Sequence, residues 1–225
     1  MLFRIERMTM KLKTVSLLAG SMVMVQLLAG CAPLLVGGAA ATTATVVTDR
    51  RSTGAIVNDE VLEKKIYLDV TEAIKATPNH ITVTSYDRKV LLTGEVATQE
   101  AKDKAGQIAA ASLDVDGVFN ELAVRQPVSA TQRLSDSLLA TKVRGVIVGT
   151  KKISLNQMKV VVDRNIAYLM GILSPTEAAM TKKAVAGVDG VKQVVALFTV
   201  ESEEMIRLRM NNNNKNNQQQ NKQTD

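Results

Sequence analysis

Ile81-Thr82-Val83-Thr84, Asp87-Arg88-Lys89 and Val90-Leu91-Leu92-Thr93-Gly94 read in turn as a strand, a tight turn and a partner strand. The period-2 alternation of the first run needs one face on a core, and the apolar run of the second needs burial. The core on that face comes from two flanking stretches. Upstream, Leu62, Ile66, Val70, Ala73 and Ile74 recur at helical spacing until Pro78 ends the run. Downstream, Thr98 is placed to cap a helix from Gln99 to about Leu113, with Ala101, Ala105, Ile108 and Ala109 as its small apolar face. Asp116-Gly117 stops that helix, and Val118, Asn120, Leu122 and Val124 lead into a last strand. The order is α-β-β-α-β over 59–126.

The same order returns after a connector, Arg125 to Ala130. Leu139, Val143, Val146 and Ile147 form a helical face. Val160 with Val162, then Ala167 with Leu169, form a hairpin up to Gly171. Ser174 is an N-cap with Pro175 at the first helical position, and Asp189-Gly190-Val191 precedes a strand to Val200. Gly94 pairs with Gly171, Glu100-Ala101 with Glu177-Ala178, and Asp116-Gly117-Val118 with Asp189-Gly190-Val191. The shrinking offset predicts that the second helix of the first unit is about one turn longer. The second unit spans 131–201, and the fold class is α+β with two tandem units.

Outside the repeats the composition changes. Arg4, Arg7, Lys11 and Lys13 precede an apolar run from Thr14 to Leu28. A basic stretch followed by a short apolar run is the layout of a secretory signal over 1–30, too short for the ~20 residues of a membrane span. Residues 31–58 read as a flexible linker reaching roughly 30 Å. Its Thr and Val content also permits part of it to lie against a domain. At the other end Asn211 to Asp225 holds almost only Asn, Gln and Lys, and predicts a disordered tail over 211–225.

Charge and chemistry narrow the function. Lys+Arg 28 against Asp+Glu 22 gives +6. Loss of residues 1–30 removes four basic residues and one acidic one, leaving about +3, so net charge alone selects no partner. With no Trp and 3% aromatic residues, a base-stacking nucleic-acid surface is not expected. The lone His80, beside Pro78, reads as a solvated loop residue, and the sequence has no His/Cys cluster for a metal. The Asp-Gly pairs lack the Gly spacing and Lys-Ser/Thr of a phosphate loop. No enzyme, cofactor, nucleic acid or small-molecule substrate is expected.

The two first helices differ in charge. Over 59–75 there are three basic residues against five acidic ones, and over 133–152 five against one. Leu134 and Leu138 point away from the Leu139/Val143/Val146 face, with Lys142 beside them. An apolar ridge edged by basic residues suits an anionic bilayer. The same ridge is also explained if Leu134 and Leu138 pack on the other unit and the lysines are merely solvated. Four net charges near an anionic leaflet contribute about 1 kcal/mol each, roughly millimolar binding. For a membrane-tethered domain that is sufficient.

Val90-Leu91-Leu92-Thr93-Gly94, Val115-Asp116-Gly117-Val118, Leu169-Met170-Gly171 and Val188-Asp189-Gly190-Val191, set in two α-β-β-α-β units, resemble the BON family. Leu28-Ala29-Gly30-Cys31 matches the lipobox of bacterial lipoproteins, and Cys31 is the single cysteine. Together with Thr48-Asp49-Arg50-Arg51-Ser52 and Thr141-Lys142-Val143-Arg144, the chain resembles dual-BON outer-membrane lipoproteins over about 28–201. It departs from them in its Asn/Gln tail, and in having Leu138 where an aromatic stands. The resemblance implies acylation of Cys31. It also implies a place on the periplasmic face of the outer membrane, to which Ala32 also leans. The implied role is binding of anionic phospholipid that supports outer-membrane integrity, with concentration at division sites. The phospholipid contacts expected here are Leu134, Leu138, Lys142 and Arg144. The alternative is an adaptor docking the outer-membrane protein assembly machinery, through the acidic helix of the first unit.

Overall fold

The computed structural model describes residues 49–150 and 153–223, with side chains as far as 219. The signal segment, the lipobox with Cys31, the linker up to 48 and the Lys151-Lys152 pair lie outside the described residues.

Helix α1 (Thr53–Ala73) starts six residues before its expected place, because Ser52 caps it by accepting from the Ala55 N–H. The expected linker therefore ends early. Asp49, Arg50 and Arg51 are buried rather than solvated. Strands β1 (Asn79–Tyr86) and β2 (Lys89–Val96) follow, then α2 (Gln99–Ala111), β3 (Gly117–Asn120) and β4 (Ala123–Val124). The second unit repeats the order: α3 (Ala130–Gly149), a 3-10 turn (Leu155–Gln157), β5 (Met158–Asp163), β6 (Ile166–Leu173), α4 (Pro175–Ala186) and β7 (Gln193–Val200).

Each sheet has its second strand at the centre. β1 and β2 are antiparallel, and β3 and β4 lie parallel to β2 in one continuous register; β5, β6 and β7 repeat the pattern. Both hairpins close through two residues in the left-handed region, Asp87-Arg88 (φ 51° and 65°) and Arg164-Asn165 (φ 51° and 62°). Type I′ turns need this geometry, and L residues other than Gly resist it. A buried carboxylate holds each one. Asp59 on α1 accepts the Asp87 and Arg88 N–H groups at 2.8 and 2.9 Å; Asp136 on α3 accepts those of Arg164 and Asn165 at 2.9 Å. Gly94 (φ 111°) bows β2 so close to β1 that a Cβ there would stand 2.0 Å from the His80 carbonyl oxygen.

The two Val-Asp-Gly-Val motifs are not structural equivalents. β3 enters its sheet with Gly117 opposite Lys89, and β7 with Gln193 opposite Ile166. Gln193, not Gly190, thus takes the place of Gly117. Gly190 (φ 98°) matches Asp114 (φ 66°), the left-handed residue between α2 and β3. α2 and α4 have 13 and 12 residues, so the expected extra turn is absent. His80 is also not a loop residue: it lies in β1, with Nδ1 3.7 Å from Glu95.

The hairpin strands are buried on both faces, as central strands of covered sheets are. Val90 and Leu92 face α1 and α2 together with Leu62, Ile66, Val70 and Ala105. Ala167 and Leu169 face α3 and α4 with Val143, Ile147 and Val185. The opposite faces meet each other: Tyr86 and Leu91 pack on Tyr168, Met170 and Ile172. The result is a stack of helices, sheet, sheet and helices. Tyr86 Oη donates to the Gln157 carbonyl at 2.8 Å across this seam, and Lys159 Nζ reaches Glu63 at 2.6 Å.

The segments that flank the two units are part of the fold. Residues 211–223, expected as a disordered tail, continue helix α5 (Glu203–Gln223). Ile206 is buried in the seam and Met210 packs beside it. Arg209 pairs with Glu201 at 2.5 Å and Asp87 at 3.7 Å. With its first turns fixed, the helix propagates at low cost through the Asn/Gln run. Asn213 Nδ2 then donates to the Arg50 carbonyl, and Thr53 Oγ1 to Asn217 Oδ1.

Candidate membrane-contact surface

Helix α3 carries the residues that the sequence singles out. Ser129 caps it by accepting from the Gln132 N–H. Asp136, Leu139, Ala140, Val143 and Ile147 form its buried side. Val146, expected on that side, sits at the edge and is partly exposed. Leu134 and Leu138 point outward and are 62% and 59% exposed. Neither packs on the first unit, so the alternative in which they cover it does not hold. Thr141, Gly145 and Val148 continue the outward line at 100° per residue.

The four candidate residues lie together but differ in their contacts. Lys142 flanks Leu138, exposed and without a partner among the described residues. Arg144 is on the opposite flank. Its Nη2 donates to the Val160 carbonyl at 2.9 Å and ties the helix to the free edge of β5. There it lines a crevice of about 370 Å3 with Glu63, Thr84, Leu155 and Lys159. Arg144 is therefore partly committed to the fold, and Lys142 is the freer cation. Arg133 adds a third, with Nη1 on the Val128 carbonyl at 2.6 Å. Asp136, the acidic residue in the sequence's charge count for this helix, is buried under the hairpin turn. The outer face of α3 is thus cationic among the described residues.

The charge contrast between the first helices is right in sign but incomplete. The counted Asp59 of α1 is buried too, bound to Arg51 at 2.8 Å and to Ser85 Oγ at 2.6 Å. α1 also has an outward apolar line of its own, Val57, Val61 and Leu68. The missed signal is the 77-residue offset of the hairpins, which also relates the helices.

A second group of residues went unread. Arg50 donates to both Glu177 carboxylate oxygens at 2.7 Å and to the Ile172 carbonyl at 2.6 Å. Glu177 accepts the Ser174 N–H and completes a capping box on α4. Burial alone would raise the Glu177 carboxyl, but the Arg50 and Ser174 hydrogen bonds outweigh it and hold it below its ordinary range. Arg51 stacks 4.1 Å over the Tyr86 ring and pairs with Asp49 and Asp59. The segment leading into α1 is thereby clipped to the second unit. Its Asp-Arg-Arg composition looks like solvated linker, and the partner 127 residues away leaves no local signal.

Among the described residues no group of three or more His, Cys, Asp or Glu could hold a metal ion, and no helix is long and apolar enough to cross a membrane. What the α3 face offers is a ridge of apolar side chains between cations, suited to a surface rather than to an enclosed ligand.

Comparison with known proteins agrees with this architecture. The family model described as "BON domain" matches residues 58–126 and 135–202. The outer membrane lipoprotein DolP of Haemophilus influenzae is 32% identical over 189 residues, 83% of this chain and 95% of that protein. A 21 kDa hemolysin of Actinobacillus pleuropneumoniae is 28% identical over 148 residues, 65% of this chain and 76% of its own. CdsD, a structural protein of the type III secretion system of Chlamydia trachomatis, is 12% identical with a TM-score of 0.28; it covers 65% of this chain and 97% of its own. At that TM-score the likeness supports no conclusion.

Proposed function

The chain belongs to the BON domain family as a tandem-BON protein of the DolP-like outer-membrane lipoprotein kind, and from that premise we propose that it binds anionic phospholipid through the outer face of α3. The observation that carries the proposal is the exposed pair Leu134 and Leu138, flanked by Lys142 and Arg144. Exposed leucines at adjacent helical turns form a contiguous apolar patch, the kind of surface that marks a membrane or protein contact. Cations on both flanks favour an anionic bilayer. Cys31 is the acylated anchor, and the protein lies on the periplasmic face. It acts by binding and does no chemistry, and its role is to support outer-membrane integrity. Two acyl chains or more hold such a protein stably. The folded part then samples the bilayer at high local concentration, where roughly millimolar intrinsic affinity is sufficient.

The test is co-sedimentation of the chain from residue 31, carrying Cys31→Ser, with phosphatidylglycerol or phosphatidylcholine vesicles. The whole chain is needed because an isolated unit would uncover Leu91 or Met170 of the shared seam. Binding to phosphatidylglycerol that falls with salt is expected. Leu138→Asp should weaken it about tenfold or more, since burying a leucine is worth about 1.5–3 kcal/mol. Equal binding to both lipids, or a folded Leu138→Asp/Lys142→Glu variant that binds normally, contradicts the assignment.

A further inference from the structure

We propose that the outer ridge of α1, Val57, Val61 and Leu68, is a second bilayer-contact surface, suited to zwitterionic headgroups and placed on the opposite side of the molecule from the α3 ridge. The proposal rests on the lipid reading of α3. Val57, Val61 and Leu68 are 58%, 56% and 64% exposed, in a line of about 16 Å along the helix.

The two ridges are related by the repeat itself. At the 77-residue offset of the hairpins, Val57 stands at the position of Leu134, Val61 at that of Leu138 and Lys65 at that of Lys142. The surroundings have diverged: Tyr67 replaces Arg144, and Leu68 replaces Gly145. An exposed apolar pair and a lysine at the same three positions of both units point to one class of ligand. Tyr67, 46% exposed at the flank, has the apolar ring and polar tip that settle at a bilayer interface.

The charges set the difference between the ridges. On α1, Lys65 pairs with Asp69, Lys75 just beyond it with Glu72, and Glu63 with Lys159. Asp59 is buried. Glu60 and Lys64 remain, one of each sign, without partners among the described residues. The α1 ridge is therefore close to neutral, where that of α3 is cationic. It has no field to draw an anionic leaflet, and its apolar residues suit a neutral one.

Position completes the argument. The inner sides of α1 and α3 pack on the sheet faces that point away from the common seam. The two helices thus occupy the two outermost layers, and their ridges face away from each other. One molecule with both ridges engaged bridges two bilayer surfaces.

The experiment adds the chain from residue 31 with Cys31→Ser to vesicles of mixed phosphatidylethanolamine and phosphatidylglycerol. Co-sedimentation reads binding, and light scattering reads vesicle clustering. The wild-type surface should bind and cluster. Val61→Asp/Leu68→Asp should co-sediment at the wild-type level with scattering no higher than that of vesicles alone. Leu138→Asp/Lys142→Glu should lose both signals. Val61→Ser/Leu68→Ser repeats the test if the Asp variant melts early. Wild-type binding without clustering, or undiminished clustering by the α1 variants, overturns the α1 surface alone and leaves that ridge to a protein partner. Absence of wild-type binding overturns the α3 reading and this proposal with it. Loss of co-sedimentation in the α1 variants contradicts the division of roles between the ridges.

Discussion

Asp59 and Asp136 show how much a single buried side chain decides. Each is ionisable, almost fully buried, and bound to two backbone N–H groups of a left-handed turn. Removing either leaves a strained turn with orphaned donors, and at Asp59 it also takes one of the two carboxylate partners of Arg51 and the acceptor of the Ser85 hydroxyl. Asp59→Ala and Asp136→Ala should each cost about 3 kcal/mol, Asp59→Ala the more; chemical denaturation measures it. Glu177 provides the pH counterpart. Its carboxyl is held below the ordinary 4.5 in the folded chain, so its contribution is present at neutral pH and lost as pH falls through the folded value. Arg50→Ala should cost about 2–3 kcal/mol near pH 7 and progressively less as the Glu177 carboxyl protonates below 4.5. A cost that stays constant through the acid titration of Glu177 would show that the ion pair does not hold the clip. Such residues were not legible beforehand. An Asp among helical positions counts as one more surface charge until its partners, 28 and 29 residues away, are seen.

At the scale of elements, local rules read well where the deciding contacts are local. Both hairpins, the Thr98 and Ser174 caps and the apolar faces of α1 and α3 stand where periodicity places them, because neighbours three to four residues away decide them. The segments flanking the two units read badly. α5 has no apolar residue beyond Met210, and what fixes it is Ile206 in a seam assembled from both units. Ile206→Ala should therefore cost about 2–4 kcal/mol. Deleting 211–225 removes two part-buried hydrogen bonds, Asn213 to the Arg50 carbonyl and Thr53 to Asn217, and no apolar contact, and should cost about 2 kcal/mol or less; thermal melts compare the two. The Val-Asp-Gly-Val pairing misled for a related reason. A short motif can recur near a helix end without taking the same place in the sheet register. Of the surface itself, the ridge of α3 was legible from angle and charge. That of α1 was hidden because a charge count averages over buried and exposed carboxylates alike.

The described residues form two repeats joined by a common apolar seam, closed by the Arg50 clip before α1 and by α5 after β7. The units should unfold together. A single calorimetric transition is expected, and two separated transitions would mean that the seam does not couple them. This coupling holds the α3 ridge in a fixed orientation relative to the clipped Asp49–Arg51 segment. The central claim is that Leu138 enters an anionic bilayer, and the single native cysteine makes a direct measurement possible. In a Cys31→Ser chain from residue 31, an environment-sensitive fluorophore is attached at Leu138→Cys and, separately, at Gln107→Cys on the exposed side of α2. With phosphatidylglycerol vesicles the emission at 138 should shift to the blue and return with added salt, while that at 107 stays constant. No shift at 138, or an equal shift at 107, would contradict the account.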